Sequence, residues 1–293
     1  MSKNKQIAVV GSTDLALKKA SRLLDITNKL LTSQSKSLVE NDDWLDELIA
    51  WADEYAIVAI PRPRDRKKIQ DLTRISLHWQ YRNKNVYIPE SFGNLSNLTE
   101  CSIDDRRLTS LPESIGNLTN LTWLFIGSNQ LTSLPESIGN LTNLSELRLS
   151  YGKLACLPES IGNLTNLKEL HLEYNRLISL PESIGNLNNL MRLSLWDNQL
   201  ISIPESIGNL TNLMELHLQN NRLTSLPDTI GDLLSLEKLY LDENEFTELP
   251  FSLSRLKHVK IYLRDNPLKV LPPELRHLYH TFNTYHRDED YDW

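Results

Sequence analysis

The sequence predicts an α/β repeat solenoid, and three observations lead there. First, the string LPESIGNLTNL occurs intact at 111–121, 134–144 and 157–167, with near copies at 88–98, 180–190 and 203–213. Second, units begin at Ile88, Leu111, Leu134, Leu157, Leu180, Ile203, Leu226, Leu249 and Leu271, a step of 23 residues with a final 22. Nine of the 13 prolines stand second in a unit and seven of the ten glycines stand sixth. Third, each unit carries a short run that alternates inward apolar and outward side chains, the period of a strand. A fixed period of this size marks stacked units, none of which can bury its apolar face alone.

From the N-terminus, residues 14–32 carry Leu15, Ala20, Leu23, Leu24, Ile26, Leu30 and Leu31, the pattern of an amphipathic helix. A Ser-rich loop at 32–37 leads to a second helix over 41–55, with Asn41 or Asp42 as N-cap and Trp44, Leu45, Leu48, Trp51 and Ala52 apolar. Pro61 and Pro63 end the helical region, and Leu72, Ile75 and Leu77 form a first, degenerate strand. Open ends of a stacked array need polar-faced covers, so residues 1–69 are expected to be a helical cap. In the unit 111–133 the stretch Trp123–Ser128 is the strand, with Leu124 and Ile126 inward and Trp123, Phe125 and Gly127 outward. Pro112 suits the first position of a helical turn, and Gly116 is expected to close that turn in the left-handed conformation. The solenoid occupies 70–270. Residues 271–293 are expected to be a C-terminal cap, with Pro272, Pro273, Leu275, Leu278, Tyr279 and Phe282, followed by the acidic tail HRDEDYDW.

These residues resemble a known family. The segments LTWLFIGSNQL, LKELHLEYNRL and LMRLSLWDNQL follow L-x-x-L-x-L-x-x-N-x-L, the leucine-rich repeat pattern. The 23-residue unit resembles the intracellular type of bacterial proteins and Ras-associated repeat proteins. The resemblance spans about residues 70–275 and implies a curved horseshoe with a parallel β-sheet on its concave face. It also implies that Asn129, Asn175, Asn198, Asn221, Asn244 and Asn266 satisfy backbone groups across each turn. Arg106 and Gly152 depart from that position, so local loosening is expected there.

Composition narrows the function classes. The chain has 56 Leu and 26 Asn, 40% hydrophobic and 24% charged residues, which is globular rather than disordered. No run of 18 apolar residues exists, so no spanning helix is expected. The start MSKNKQIAVVGSTD lacks a signal-peptide cleavage pattern. A net charge of −7 argues against nucleic acid, whose phosphates need a basic footprint. Cytoplasmic location follows as an expectation, with delivery into a host cell left open. Cys101 takes an inward strand position and reads as a core thiol; Cys156 lies more than two units away, beyond disulfide reach.

Catalytic patterns are weak. IAVVGSTD lacks the spacing of a phosphate-binding loop. His277, His280 and His286 lack further ligand spacing and read as cap residues rather than a metal cluster. His171 and His217 occupy equivalent positions two units apart, about 10 Å, too far to share one ion. No Ser–His–Asp, Cys–His or paired-carboxylate arrangement stands out, and no cofactor or metal is expected. The N-L-T and N-L-S triplets follow from the repeat and carry no assigned role.

The outward strand positions change in every unit while the frame around them does not. They read Glu100, Ser102, Asp104; Trp123, Phe125, Gly127; Glu146, Arg148, Ser150; Glu169, His171, Glu173; Arg192, Ser194, Trp196; Glu215, His217, Gln219; Lys238, Tyr240, Asp242; and Lys260, Tyr262, Arg264. Aromatics and arginines are the usual anchors of interfaces. The partner-binding residues are therefore expected to be Trp123, Phe125, Arg148, Tyr151, His171, Tyr174, Arg192, Trp196, His217, Tyr240 and Tyr262. Glu100, Asp104, Asp105, Glu146, Glu169 and Glu173 make one end acidic, while Lys238, Lys260 and Arg264 make the other basic.

The reading is a non-catalytic, monomeric module that holds a protein partner on the concave sheet. One alternative is the recognition part of a bacterial effector of the ubiquitin-ligase type, whose catalytic domain is absent from this sequence. The other is an architectural, self-associating protein.

Overall fold

The computed structural model describes residues 43–60, 65–77, 86–268 and 273–275, all within one compact unit, Asp43–Trp293. The expected helix at 14–32, the Ser-rich loop, both candidate N-caps, Pro61, Pro63, the segment IAVVGSTD, the three C-terminal histidines and the acidic tail lie outside the described residues.

Nine short strands run parallel in chain order: β1 (Arg74–Leu77), β2 (Glu100–Asp104), β3 (Trp123–Gly127), β4 (Glu146–Arg148), β5 (Glu169–His171), β6 (Arg192–Ser194), β7 (Glu215–His217), β8 (Lys238–Tyr240) and β9 (Lys260–Tyr262). Leu147 lies opposite Leu170, Leu170 opposite Leu193, and Leu193 opposite Leu216. The 23-residue period is thus one strand-to-strand step of a curved solenoid. Inward leucines stack into columns: Leu124, Leu147, Leu170, Leu193, Leu216 and Leu239 are all fully buried. Each contributes roughly 1.5–3 kcal/mol relative to exposure.

The return segments are five-residue 3-10 turns, such as Glu159–Asn163, rather than longer helices. Pro158 precedes its turn at φ −70° and ψ 153°, so the proline stands at the cap and not at the first helical position. The left-handed closure expected of the sixth-position glycines is not found, because no glycine among the described residues has positive φ. Their role is steric. A Cβ on Gly116, Gly139, Gly162 or Gly185 would lie 2.4 Å from the carbonyl oxygen of Ser137, Ser160, Ser183 or Ser206 of the next unit. Only glycine lets successive turns approach this closely. The left-handed residues fall instead just after strands β3 to β9, at Ser128, Tyr151, Tyr174, Asp197, Asn220, Glu243 and Asp265, with φ between 47° and 59°. Backbone bonds to the next unit hold them there, for example Tyr174 N–H to Trp196 O at 3.1 Å and Asp197 N–H to Gln219 O at 3.0 Å.

The asparagine that follows each such residue except Tyr151 forms a ladder. Asn198 accepts from Leu177 N–H at 3.0 Å and donates to Leu172 O and Leu195 O, both at 3.0 Å. Asn221 repeats this with Leu200, Leu195 and Leu218. At the two departures the bonds are rerouted, not lost. Gly152 offers Leu131 N–H no acceptor, so Asn129 turns its own Oδ1 to Leu131 N–H at 2.7 Å. Leu108 N–H, left without Asn129, bonds to Asp105 O at 3.2 Å. Beside Arg106, Asp105 accepts from the Arg107 backbone and guanidinium at 2.8–3.0 Å. Asp105 is therefore buried and does not belong to the acidic outward face.

Two further inter-unit rows lie outside that ladder. Asn120, Asn143, Asn166, Asn189 and Asn212 donate to a carbonyl of the preceding unit at 2.7–2.8 Å. Glu90, Glu113, Glu159 and Glu182 accept from the Ser114, Ser137, Ser183 and Ser206 amides.

Helix α1 (Asp43–Glu54) covers the first unit, burying Leu45, Leu48, Trp51 and Ala52. Trp51 Nε1 donates to Tyr87 O at 3.0 Å, and its ring meets Phe92 edge-on at 6.3 Å. Asp46, Glu47, Asp53 and Glu54 face outward. Helix α2 (Arg66–Gln70) follows, with Asp65 as its cap. Cys101 is fully buried, which pushes its thiol up to about 12; Cys156 is exposed, and both are free.

Candidate functional site

Alternation puts every second strand residue on the outer face of the sheet, and the register aligns these into columns. The first column runs Glu100, Trp123, Glu146, Glu169, Arg192, Glu215, Lys238, Lys260. The middle column runs Ser102, Phe125, Arg148, His171, Ser194, His217, Tyr240, Tyr262. Asp104, Gly127, Ser150, Glu173, Trp196, Gln219, Asp242 and Arg264 follow as the third position in each unit. All the expected binding residues reach this face or its edge; Tyr151 is exposed, and the others are half-buried against one another rather than free.

Strand spacing of about 4.8 Å matches the stacking distance of aromatic rings, so equivalent aromatics in neighbouring units pair. Along the strand ends, Tyr151 stacks on Tyr174 at 4.5 Å, and Tyr174 meets Trp196 edge-on at 4.3 Å. In the middle column, His217 stacks on Tyr240 at 4.4 Å and Tyr240 on Tyr262 at 4.5 Å. Trp123 and Phe125, two apart on β3, stack at 6.1 Å. The left-handed φ of Tyr151 and Tyr174 is the bend at which they join their track.

Ion pairs tie the first column together. Arg192 bridges Glu169 at 3.2 Å and Glu215 at 3.1 Å, and Lys238 reaches Glu215 at 3.3 Å. His217 hydrogen bonding to Glu215, reinforced by Arg192 and Lys238, outweighs burial and holds this carboxyl well below the usual carboxylate range. Arg148 pairs with Glu146 and Arg74 with Glu100. At the other end Asp242 is pushed up by burial, although Arg264 N–H donates to it at 2.7 Å. Burial, with Glu173 nearby, raises Tyr151.

Two surfaces escaped the sequence reading. A hollow beside β1–β3 is lined by Val58, Ala59, Arg74, Ile75, Ser76, Glu100, Ser102 and Trp123. The alternation of β1 points to Arg74 and Ser76, but nothing in the sequence brings Val58 and Ala59 over them. A groove along the edge before the strands carries Met191 and Met214 between Lys168 and Glu237. Its signal is the replacement of Thr122 and Ser145 by methionine at the equivalent repeat position.

The comparisons with known proteins agree with this geometry. The profile described as "Leucine-rich repeat region" matches residues 68–171, and those described as "Leucine Rich Repeat" and "Leucine rich repeat" match 166–187, 188–246 and 211–268. A leucine-rich repeat protein of Leptospira interrogans is similar at 31% identity and TM-score 0.61, over 76% of this chain and 62% of that one. The plant peptide hormone receptor RGFR1, solved in complex with RGF2, is similar at 27% identity and TM-score 0.56, over 68% of this chain and 37% of that one. The PEPR1–AtPEP1 structure is similar at 36% identity and TM-score 0.50, over 61% of this chain and 30% of that one. The chain thus spans less than two thirds of each of these proteins. A search of curated proteins gave no significant match. Among the described residues no helix is long and apolar enough to cross a membrane. With its 23-residue strand–turn units, asparagine ladder and matched profiles, the chain belongs to the leucine-rich repeat family.

Proposed function

We propose that this protein is a non-catalytic binding module that holds a protein or peptide partner on the concave face of its sheet. Leucine-rich repeat domains generally serve protein–protein interaction. One observation supports the finer reading: the frame is repeated almost unchanged, while the set of three outward residues differs in every unit and gathers stacked aromatics and ion pairs. Aromatic rings locked in stacks present rigid area at low entropic cost, which is what interface anchors need. The similar RGFR1 is a plant peptide hormone receptor in complex with RGF2, which favours the same kind of use here. Acidic residues at one end and Lys238, Lys260 and Arg264 at the other suit a partner of opposite polarity, whose association rate the field would raise. The exposed free thiol of Cys156 is in keeping with a reducing, cytoplasmic setting.

The test is affinity capture with wild type against a Trp123→Ala/Trp196→Ala double variant. Capture that is lost in the double variant while its melting transition survives supports the proposal. Equal capture by both places the interface elsewhere, the methionine groove being the next surface to mutate.

A further inference from the structure

We propose that Glu146, Glu169 and His171 form a binding site for a divalent first-row metal ion, with Zn2+ the best suited. The site does not depend on the partner-binding role proposed above.

The register creates it. Glu146 on β4 lies directly opposite Glu169 on β5, and His171 stands two residues further along the same face. One donor atom from each of the three lies within 4.8 Å of the others. Small side-chain rotations would close such a triangle to the ~2.0–2.2 Å bonds of a zinc site. An imidazole with two carboxylates suits Zn2+ or Mn2+ better than Ca2+ or Mg2+, which take oxygen alone. Three protein ligands on a half-open face leave a coordination position for water or for a donor from a partner.

The surroundings of His171 point the same way. Its Nε2 lies 3.1 Å from Glu169 Oε2, and its Nδ1 lies 3.9 Å from Glu173 Oε2. Neutral imidazole carries one N–H, so with that proton on the Glu173 side the Nε2 lone pair faces a carboxylate oxygen. With the proton on Nε2 the ring donates to Glu169; a metal ion would select the other tautomer and take the Nε2 lone pair together with the carboxylate. Glu173 is itself fixed, accepting from Ser150 Oγ at 2.8 Å through Oε1, while its Oε2 is buried without a hydrogen-bond partner. A carboxylate behind the far nitrogen is how proteins set the tautomer of a metal-bound histidine.

The chain supplies its own comparison two units on. His217 repeats the Glu-x-His spacing with Glu215, but Arg192 lies opposite Glu215 where Glu146 lies opposite Glu169. Gln219 stands where Glu173 does. The β7 copy therefore has one carboxylate near its histidine, and the β5 copy has three. Arg148 and Arg192 each occupy one side of a site carboxylate. They hold it in place, and a carboxylate offers about four lone-pair positions, so a second partner fits.

Zn2+ titration of the full chain without an affinity tag, by calorimetry and by competition with a chromophoric chelator at pH 7.5, tests this. The expected result is one site that weakens at least tenfold in His171→Ala and in Glu146→Gln/Glu169→Gln. Glu173→Gln, which leaves the three ligands in place, is expected to weaken it 10- to 100-fold. His217→Ala is expected to leave it unchanged, with circular dichroism confirming that every variant is folded. Absence of Zn2+ binding, binding that survives His171→Ala, or an equal loss in His217→Ala would overturn the proposal.

Discussion

Replacing Asn198 by alanine removes one rung of the ladder, and the structure sets the size of the loss. Its amide donates to Leu172 O and Leu195 O at 3.0 Å and more weakly to Trp196 O at 3.4 Å, and it accepts one bond, from Leu177 N–H. The two carbonyls are shared: Leu172 O keeps Asn175, and Leu195 O keeps Asn221. Losing a second donor on an already bonded carbonyl costs little. Leu177 N–H is fully buried and loses its acceptor, and a buried orphan costs about 1–3 kcal/mol. With two weakened carbonyls and a small cavity added, Asn198→Ala is expected to cost about 2–4 kcal/mol. Asn198→Asp keeps the acceptor but aims a carboxylate at two carbonyl oxygens, so it should cost at least as much. Urea unfolding followed by circular dichroism reads both, with the m-value checked for loss of cooperativity along the stack. A cost below about 1 kcal/mol for the alanine variant, or an aspartate variant as stable as wild type, would refute the ladder account.

Leu195→Ala is expected to cost roughly 2–5 kcal/mol because it opens a cavity in a fully buried column, whereas Trp196→Ala loses one edge-on contact with Tyr174 and about 1–2 kcal/mol. Equal losses in denaturant titrations would mean the faces are misassigned. Gly162→Ala, despite an ordinary φ, is expected to destabilise by about 1–3 kcal/mol because its Cβ meets the Ser183 carbonyl of the next unit; a stabilised variant would show that the turns have room to part. The depressed Glu215 carboxyl contributes stability that is present above its unfolded pKa of about 4.3 and is lost as pH falls below that value. The stability gap between wild type and Glu215→Gln should therefore narrow between pH 5 and pH 3, and a constant gap in melting temperature across that range would count against the Arg192–Glu215–Lys238 cluster.

The fold was legible because its punctuation is regular. Leucines at a fixed step give inward columns, and prolines in register give the start of each return. The sixth-position glycine shows where legibility stops. A sequence says only that a side chain is missing there, which fits a left-handed φ and a close approach equally well. The structure assigns the approach to Gly162 and the left-handed φ to residues such as Tyr174 and Asp197, whose types do not announce it. Asparagines such as Asn143 read as incidental triplets because their partner carbonyl is 24 residues away, on another unit. On the candidate face, composition and alternation identified the outward residues. The stacks and the triangle of Glu146, Glu169 and His171 depend on which rotamers neighbouring strands share, and one chain of letters does not carry that.

The ladders also explain how a near-constant frame carries a variable face. Backbone groups after each strand are bonded by the buried asparagines, and those before it by the second asparagine row. The inward leucines make the core. Apart from Asp242, which accepts from Arg264 N–H, an outward side chain is thus spared from satisfying backbone or filling volume, and it meets other outward side chains one strand or one alternate residue away. Its energetic neighbours lie along a column, as in Tyr151–Tyr174–Trp196 or Glu169–Arg192–Glu215. Substitutions in one column couple through shared rings or shared charges, while those several strands apart add. A surface built this way can change its chemistry locally without unfolding the stack, and this is the physical basis for reading the unequal outward positions as the functional part of an otherwise uniform chain.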